Sequence, residues 1–514
     1  MRKSLPYLML LVALVSYVQD ISAQRYVNEV FTDVQITPSV RYAQNKEFLT
    51  GAPVLKNLNM DIYEPVGDVQ TTRPLIIYMH TGSFLPPVIN QNPTGSRFDS
   101  TAVEMCKRFA RRGYVAAAMS YRMGWNPASA DQDVRTGSLL QAVYRAMQDA
   151  KACVRYFYEE AAVNGNPFRV DTNNIILGGQ GTGGYIALAY ASVDKLSEIS
   201  LPKFLSNSTN PSYGFVAGVS YVIPQIWGDF DGYGGDTTYN NPFNHVGYSN
   251  RISFVFNMGG AIGDSSWLEQ GDVPMVAFHV VGDPFAPYGN GPVYVPTQPP
   301  QYVVDVSGSS VVIERSNAFG NNNCFNTAVF NDPYTQRANA INNGQEGLFP
   351  LQTATLVQSG PWEWYDSTAL VGFAQFISQP AAAGTQAYLN GLATNPDMSK
   401  TKAMAYIDTI QGYLNPRIVQ CLGLNTSVND WGAVANAINV YPNPTAGEFK
   451  VDLSGVTEKA NSLQVLDING RLIQELKIDE NALYTIRGME LAKGLYSVRI
   501  GFDGGSVTRK LIVQ

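Results

Sequence analysis

The sequence predicts an α/β body, a mostly parallel sheet with helices on both faces, followed by a small C-terminal all-β sandwich. Two observations carry the prediction. Between Leu75 and Val281 short apolar runs alternate with segments of helical period, the pattern of strands joined by crossover helices. From Phe449 onward the runs shorten, alternate apolar with polar residues and are parted by turn signals, as in a sandwich. A third observation sets the scale: 514 residues with 45% hydrophobic side chains suffice for two folded domains.

The elements follow in chain order. Met1-Arg2-Lys3 is a positive start, Leu8 to Val18 a short apolar run, and Ala23 a small residue before Gln24. This is the layout of a cleaved signal peptide over residues 1–23, its apolar stretch too short to span a bilayer comfortably. No later segment holds the ~18 consecutive apolar residues of a spanning helix, so the mature chain is expected to have no transmembrane segment. Leu75 to Met79 reads as a buried strand. Thr101 to Arg112 is a helix with Val103, Cys106, Phe109 and Ala110 on one side, stopped by Gly113. Tyr114 to Tyr121 is again a strand, and Leu139 to Ala161 a long amphipathic helix. Asn174 to Leu177 is a strand and Tyr185 to Ala191 a helix; Phe215 to Val222, Met275 to Val281 and Cys324 to Phe330 are further strand-like runs.

Between them Trp227 to Asp236 is irregular, a segment expected over the open end of the sheet. Its Asp229, Asp231 and Asp236 miss the spacing of a calcium loop and read as a solvated acidic turn. The body is taken as 24–424, a polar linker as 425–437, and the final domain as 438–514. In that domain Phe449 to Asp452 and Leu463 to Leu466 alternate, and Asn469-Gly470 is a hairpin turn.

The formal net charge of −7 argues against nucleic acid as a partner. The four cysteines, Cys106, Cys153, Cys324 and Cys421, form no CxxC pair, and their connectivity stays open among three possibilities. Arg145 and Asp149 fall four apart on the long helix, spaced for a salt bridge. His245 reads as a cap residue, and Trp362-Glu363-Trp364-Tyr365 as buried packing. No cofactor and no metal is expected.

The C-terminal region resembles the type A sorting domain of the type IX secretion pathway. Its Tyr441-Pro442-Asn443-Pro444 entry, Asp467 to Arg471 hairpin, Gly494-Leu495-Tyr496 run and Lys510 to Val513 end carry the likeness. The resemblance implies the type IX machinery as a partner, with passage through periplasm and outer membrane to release or surface attachment.

From Leu58 to Asn331 the body resembles the carboxylesterase branch of the α/β-hydrolase family. His80-Thr81-Gly82 stands where that family carries its oxyanion loop, a turn that aims backbone N–H groups at a developing negative charge. Gly179-Gln180-Gly181-Thr182-Gly183 stands at the nucleophile elbow, G-x-S-x-G, so the nucleophile position is Gly181 and carries no hydroxyl. Thr182 follows it, at the position that supplies an oxyanion N–H. Asp283, in Val281-Gly282-Asp283-Pro284, corresponds to the triad acid. The base should follow in chain order, yet His80, His245 and His279 all precede Asp283; the expected position falls near Asn331. Asn offers no proton-accepting nitrogen of useful pKa.

The resemblance with these losses implies a non-catalytic binding or surface protein, with an ester or a glycan as the ligand class. The alternative is an active secreted hydrolase with a non-standard site, drawing on Asp283 or Asp332 with a metal or water. Loss of a triad Ser or His costs about 10⁶-fold in turnover, which takes a typical enzyme to on the order of one event per day.

Overall fold

A computed structural model describes residues 24–514 apart from 50, 356, 425–433, 436, 457–458, 469, 479–481, 488–490 and 503–504. The signal-peptide segment, most of the 425–437 linker and Asn469 of the hairpin turn lie outside the described residues. The chain divides into two compact units, the second beginning in its main segment at Ser427.

The sheet of the first unit is built from β1 (Val34–Glu47), β2 (Val54–Pro65), β3 (Arg73–Met79), β4 (Val115–Met119), β5 (Val170–Gln180), β6 (Phe254–Met258) and β7 (Met275–Val280). A separate hairpin, β8 (Asn290–Val295) with β9 (Gln301–Ser307), precedes the last sheet strand, β10 (Leu348–Leu351). The order is β1-β2-β4-β3-β5-β6-β7-β10. β1 and β2 are antiparallel to their neighbours, whereas β3–β4, β5–β6, β6–β7 and β7–β10 are parallel.

Every residue of β3 is buried, as in a strand covered on both faces. The period of two sorts its side chains between two cores: Leu75, Ile77 and Met79 face one, Ile76 and Tyr78 the other. The first core is closed by α2 (Gln132–Val163) and α3 (Thr182–Ser192), the second by α1 (Ser100–Arg111) and α9 (Lys400–Leu422). The remaining helices are α4 (Pro224–Trp227), α5 (Ser309–Ala318), α6 (Pro333–Asn339), α7 (Ser367–Phe376) and α8 (Ala381–Thr394).

Three expectations are corrected. Phe215 to Val222 joins no sheet: it makes isolated bridges, Leu205 to Ser220 and Asn210 to Phe215, while Phe215 and Tyr221 pack on Val134 of α2. The strand that follows α3 in space is β6. Cys324 to Phe330 is not a strand either. Asn321-Asn322-Asn323 turns the chain into a single 3₁₀ turn over Asn323–Thr327, and Cys324 is tied to Cys421 of α9 by a disulfide. Cys106 and Cys153 are free and buried. Finally, Asp149 pairs with Arg122 rather than Arg145, at 2.8 Å, both side chains fully buried. Arg145 instead donates to the Gly124 carbonyl at 2.7 Å and lies over the Phe48 and Trp227 rings.

Among its described residues the tail holds seven strands: β11 (Asn439–Tyr441), β12 (Phe449–Asp452), β13 (Ala460–Leu466), β14 (Leu472–Leu476), β15 (Leu483–Ile486), β16 (Gly494–Phe502) and β17 (Gly505–Val513). They form two antiparallel sheets, β11-β12-β15 and β14-β13-β16-β17. Phe449, Val451 and Ile486 of one sheet share a core with Leu463, Val465, Val498, Ile500 and Leu511 of the other, a sandwich. No helix among the described residues is long and apolar enough to cross a membrane.

Candidate functional site

Parallel strands deliver their carboxyl ends to one edge of a sheet, where α/β folds place ligands and chemistry. Here that edge collects the turns after β3, β5, β6, β7 and β10.

β5 leaves the sheet through Gln180, turns at Gly181 and enters α3 at Thr182. The turn is sharp. Gly181 has φ 52° and ψ −116°, which for a residue with a Cβ costs on the order of 1–3 kcal/mol. Its N–H donates to the Met258 carbonyl at 2.8 Å, fixing the turn to the end of β6. The start of α3 presses on the end of β3: a Cβ at Gly183 would lie 2.2 Å from the Met79 oxygen. A Cβ at Gly181 would meet Thr81, with Oγ1 at 2.0 Å and Cβ at 2.9 Å. Gly181, Thr81 and Thr182 are all half-buried, so the elbow borders solvent.

The loop after β3 is held from beneath by Tyr121. The Tyr121 hydroxyl donates to the His80 carbonyl at 2.9 Å and meets the Thr182 hydroxyl at 3.0 Å. The His80 ring stacks on Tyr121 with centroids 4.4 Å apart. Since a carbonyl only accepts, His80 Nδ1 donates to the Thr81 oxygen at 2.6 Å. Burial pushes the His80 pKa down to about 4, so the ring is neutral, and its Nε2 is buried without a hydrogen-bond partner among the described residues. Gly82, at φ 122°, continues the loop where a Cβ would strike Gly95 Cα at 2.3 Å.

Asp283 follows β7. Its Oδ1 accepts from the N–H groups of Phe285 at 2.8 Å and Ala286 at 3.2 Å, and its Oδ2 accepts from Ser359 Oγ at 2.7 Å. Burial holds its carboxyl above the usual range against these donors and against nearby His279. Oδ2 lies 3.7 Å from where a Cβ on Gly259 would stand. No histidine bonds this carboxylate. His279 spends Nδ1 on Ser309 Oγ at 2.7 Å and Nε2 on the Ala286 carbonyl at 3.1 Å, which makes it a brace for the acid loop. His245 caps no helix; it bridges Glu159 of α2 and the Tyr42 carbonyl of β1.

Asn331, expected as the degenerate base position, belongs to a different loop from the one that reaches Asp283. It is exposed in the turn before α6, and its carbonyl takes a hydrogen bond from Gln336. The strand beside β7 is β10, so the loop that reaches Asp283 is the one after β10, and the residue in contact is Ser359. Asp332 is equally occupied, capping α6 through the Thr335 N–H at 2.8 Å and hydroxyl at 2.7 Å.

The same loop carries Glu363, a residue that sequence reasoning passed over inside an aromatic cluster. Gln180 donates to Glu363 Oε1 at 3.2 Å and accepts from the Tyr78 hydroxyl at 3.1 Å. Burial raises the Glu363 carboxyl well above its ordinary value, and the neighbouring Asp99 and Asp283 push it the same way. Burial also raises Asp99 to about 7, although Gly95 and Ser96 donate to it. Trp362 is buried, as expected, and its carbonyl accepts from Thr101. The position of Gln180 next to the elbow was the one signal that could have found this group.

The acidic turn lies elsewhere. Asp229 accepts backbone N–H groups of Asp231 and Tyr233, and Asp231 takes Lys151 at 3.0 Å and Asn250 at 2.8 Å. Gln148 of mid-α2 donates to the carbonyls of Trp227 and Asp229, so the segment packs along that helix rather than over the elbow.

Residues 439–514 match the family described as secretion system C-terminal sorting domain, and residues 60–225 match the BD-FAE family. The second match spans the Thr81 loop and the Gly181 elbow and stops before Asp283. No curated protein matches the chain. Among solved structures, the propionate-bound esterase of the Planctomycetes species Thermogutta terrifontis is 14% identical over 73% of this chain and 95% of its own, with a TM-score of 0.34. Esterase 2 of that organism phosphorylated by paraoxon is 16% identical, covering 50% of this chain and 73% of its own, with a TM-score of 0.29. A truncated carbohydrate esterase from gut microbiota is 16% identical, covering 51% and 81%, with a TM-score of 0.30.

Proposed function

From a chain that is an esterase-like α/β-hydrolase of the BD-FAE kind ending in a type IX secretion sorting domain, we infer a secreted pseudo-hydrolase, a fold retained for binding or surface display. The sorting domain marks the protein for secretion or cell-surface attachment and for the secretion machinery as partner. We take residues 1–23 as a signal peptide, 24–424 as the body, 425–437 as a linker and 438–514 as the sorting domain. The ligand class is an ester or a glycan, met at the rim around His80, Thr81, Gly82 and Thr182, where the two threonines are half-buried.

One observation carries the non-catalytic reading: the Asp283 carboxylate accepts from Ser359, a hydroxyl, and the elbow beside it is Gly181. An acyl-enzyme cycle needs an oxygen nucleophile and a base to take its proton. Glycine supplies neither atom nor proton. Serine at 359 accepts no proton at neutral pH. Asp283 keeps the geometry of an orienting acid and has no imidazole to orient.

Activity-based labelling tests this. The intact chain, incubated with a fluorophosphonate probe and read by mass spectrometry, is expected to stay unmodified. Stoichiometric adduct on any Ser or Thr that disappears with Asp283→Asn would replace this reading with a working hydrolase.

A further inference from the structure

Two departures from the resembled pattern, Thr81 where the His-Gly-Gly oxyanion loop carries a glycine and Gly181 where the elbow carries its serine, fit each other. A Cβ at position 181 would fall 2.0 Å from Thr81 Oγ1, little farther than a serine's own oxygen would stand from it. Rotating the threonine does not clear the space, because Thr81 Cβ, fixed by the backbone, would remain at 2.9 Å. The main chain is held there: the Tyr121 hydroxyl bonds both the His80 carbonyl and the Thr182 hydroxyl, and a Cβ at Gly183 would already strike the Met79 oxygen. The third departure has the same character. Ser359 Oγ stands 2.7 Å from Asp283 Oδ2, where an imidazole N–H would have to donate.

We propose that Thr81 and Gly181 are a reciprocal exchange in which the threonine side chain fills the space of the lost nucleophile, while Ser359 fills that of the lost base. This rests on the non-catalytic reading and explains how the site is closed. A hydroxyl restored at 181 alone is unfavourable while Thr81 keeps its side chain. Three substitutions, Thr81→Gly, Gly181→Ser and Ser359→His, would reopen the elbow and seat an imidazole between Asp283 and the new hydroxyl. Attack on an ester would then form an Oγ–acyl bond and expel the alkoxide, the imidazole taking the serine proton and returning it to the leaving oxygen.

The first test is a thermal-stability cycle on the full chain. Gly181→Ser is expected to lower the melting temperature in both backgrounds, because the strained turn remains, but by several degrees more in the natural background than when Thr81→Gly is present. Equal losses in both backgrounds would overturn the exchange. The second test is labelling. The triple variant is expected to react with a fluorophosphonate probe at least ~100-fold faster than the variant lacking Ser359→His. A folded triple variant that labels no faster would overturn the assignment of Ser359. Should the triple variant not fold, Ser359→His alone decides that point by NMR. Adding Asp283→Asn should lower the pKa of the introduced imidazole, and no change would overturn the assignment. Turnover by the natural chain would sink the non-catalytic reading while leaving the stability cycle standing, so the two fail separately.

Discussion

Glu363 is a carboxyl group whose described neighbours are an amide, Gln180, and two further acids, Asp99 and Asp283. Burial without a facing cation favours the protonated form. Its folded pKa is raised, so its contribution to stability is full below the unfolded value near 4.5 and is lost as pH rises toward the folded one. Asp99 behaves alike, with a window from 3.8 to about 7. Glu363→Gln keeps the acceptor oxygen for Gln180 and removes the titration. We expect it to be near neutral at pH 4 and more stable than the natural chain at pH 8, read as a melting-temperature difference that grows with pH. A constant difference would contradict the assignment. The same scale explains what the sequence could not convey about the site. Gly181 and Asp283 could be proposed from the sequence because their motifs are local. Ser359 and Glu363 come from the loop after β10 and Asp99 from the one before α1, and only the folded sheet brings them to one edge.

Between elements, the strongest constraint is the buried pair of Arg122, just after β4, and Asp149 on α2, which also accepts the Arg122 N–H at 2.7 Å. Removing one partner of such a pair leaves a buried charge unanswered, so Asp149→Ala is expected to cost about 3–5 kcal/mol in denaturant unfolding. A loss under about 1 kcal/mol would mean that the pair is solvated. The disulfide acts at the same scale. Cys324 and Cys421 lie 97 residues apart, and replacing both with serine is expected to cost about 2–4 kcal/mol relative to the oxidised chain. The central elements were readable from period alone: β3, β4, β5, β7, α1 and α3 fall within a few residues of the expected segments, and α2 begins seven residues earlier, at Gln132 rather than Leu139. β6 was not, because buried Asn257 interrupts its apolar run; that side chain is satisfied by Gly260 and Ser309. Phe215 to Val222 misled for the opposite reason: its aromatic residues bury against α2 without joining a ladder. Cys324 to Phe330 misled as well, because the Asn-rich turn and the disulfide hold it in a 3₁₀ turn.

At the scale of the whole molecule two units divide the work: a body whose carboxyl-end rim holds the Gly181 turn, and a tail that addresses the chain for export. The tail has a sandwich core of its own, as an address read after folding would need. Removing residues 439–514 is expected to leave the protein in the periplasm of a host that secretes by the type IX route, detected by fractionation. Secretion of the shortened chain at the normal level would contradict that role. The body's function turns on whether its rim performs acyl transfer. The most direct measurement is hydrolysis of a short-chain nitrophenyl ester by the purified full chain beside its Asp283→Asn variant. We predict equal rates for the two, at or below about one turnover per day. A rate of about 1 s⁻¹ or more that falls at least ~100-fold in Asp283→Asn would contradict it, because the acid would then be orienting a working base.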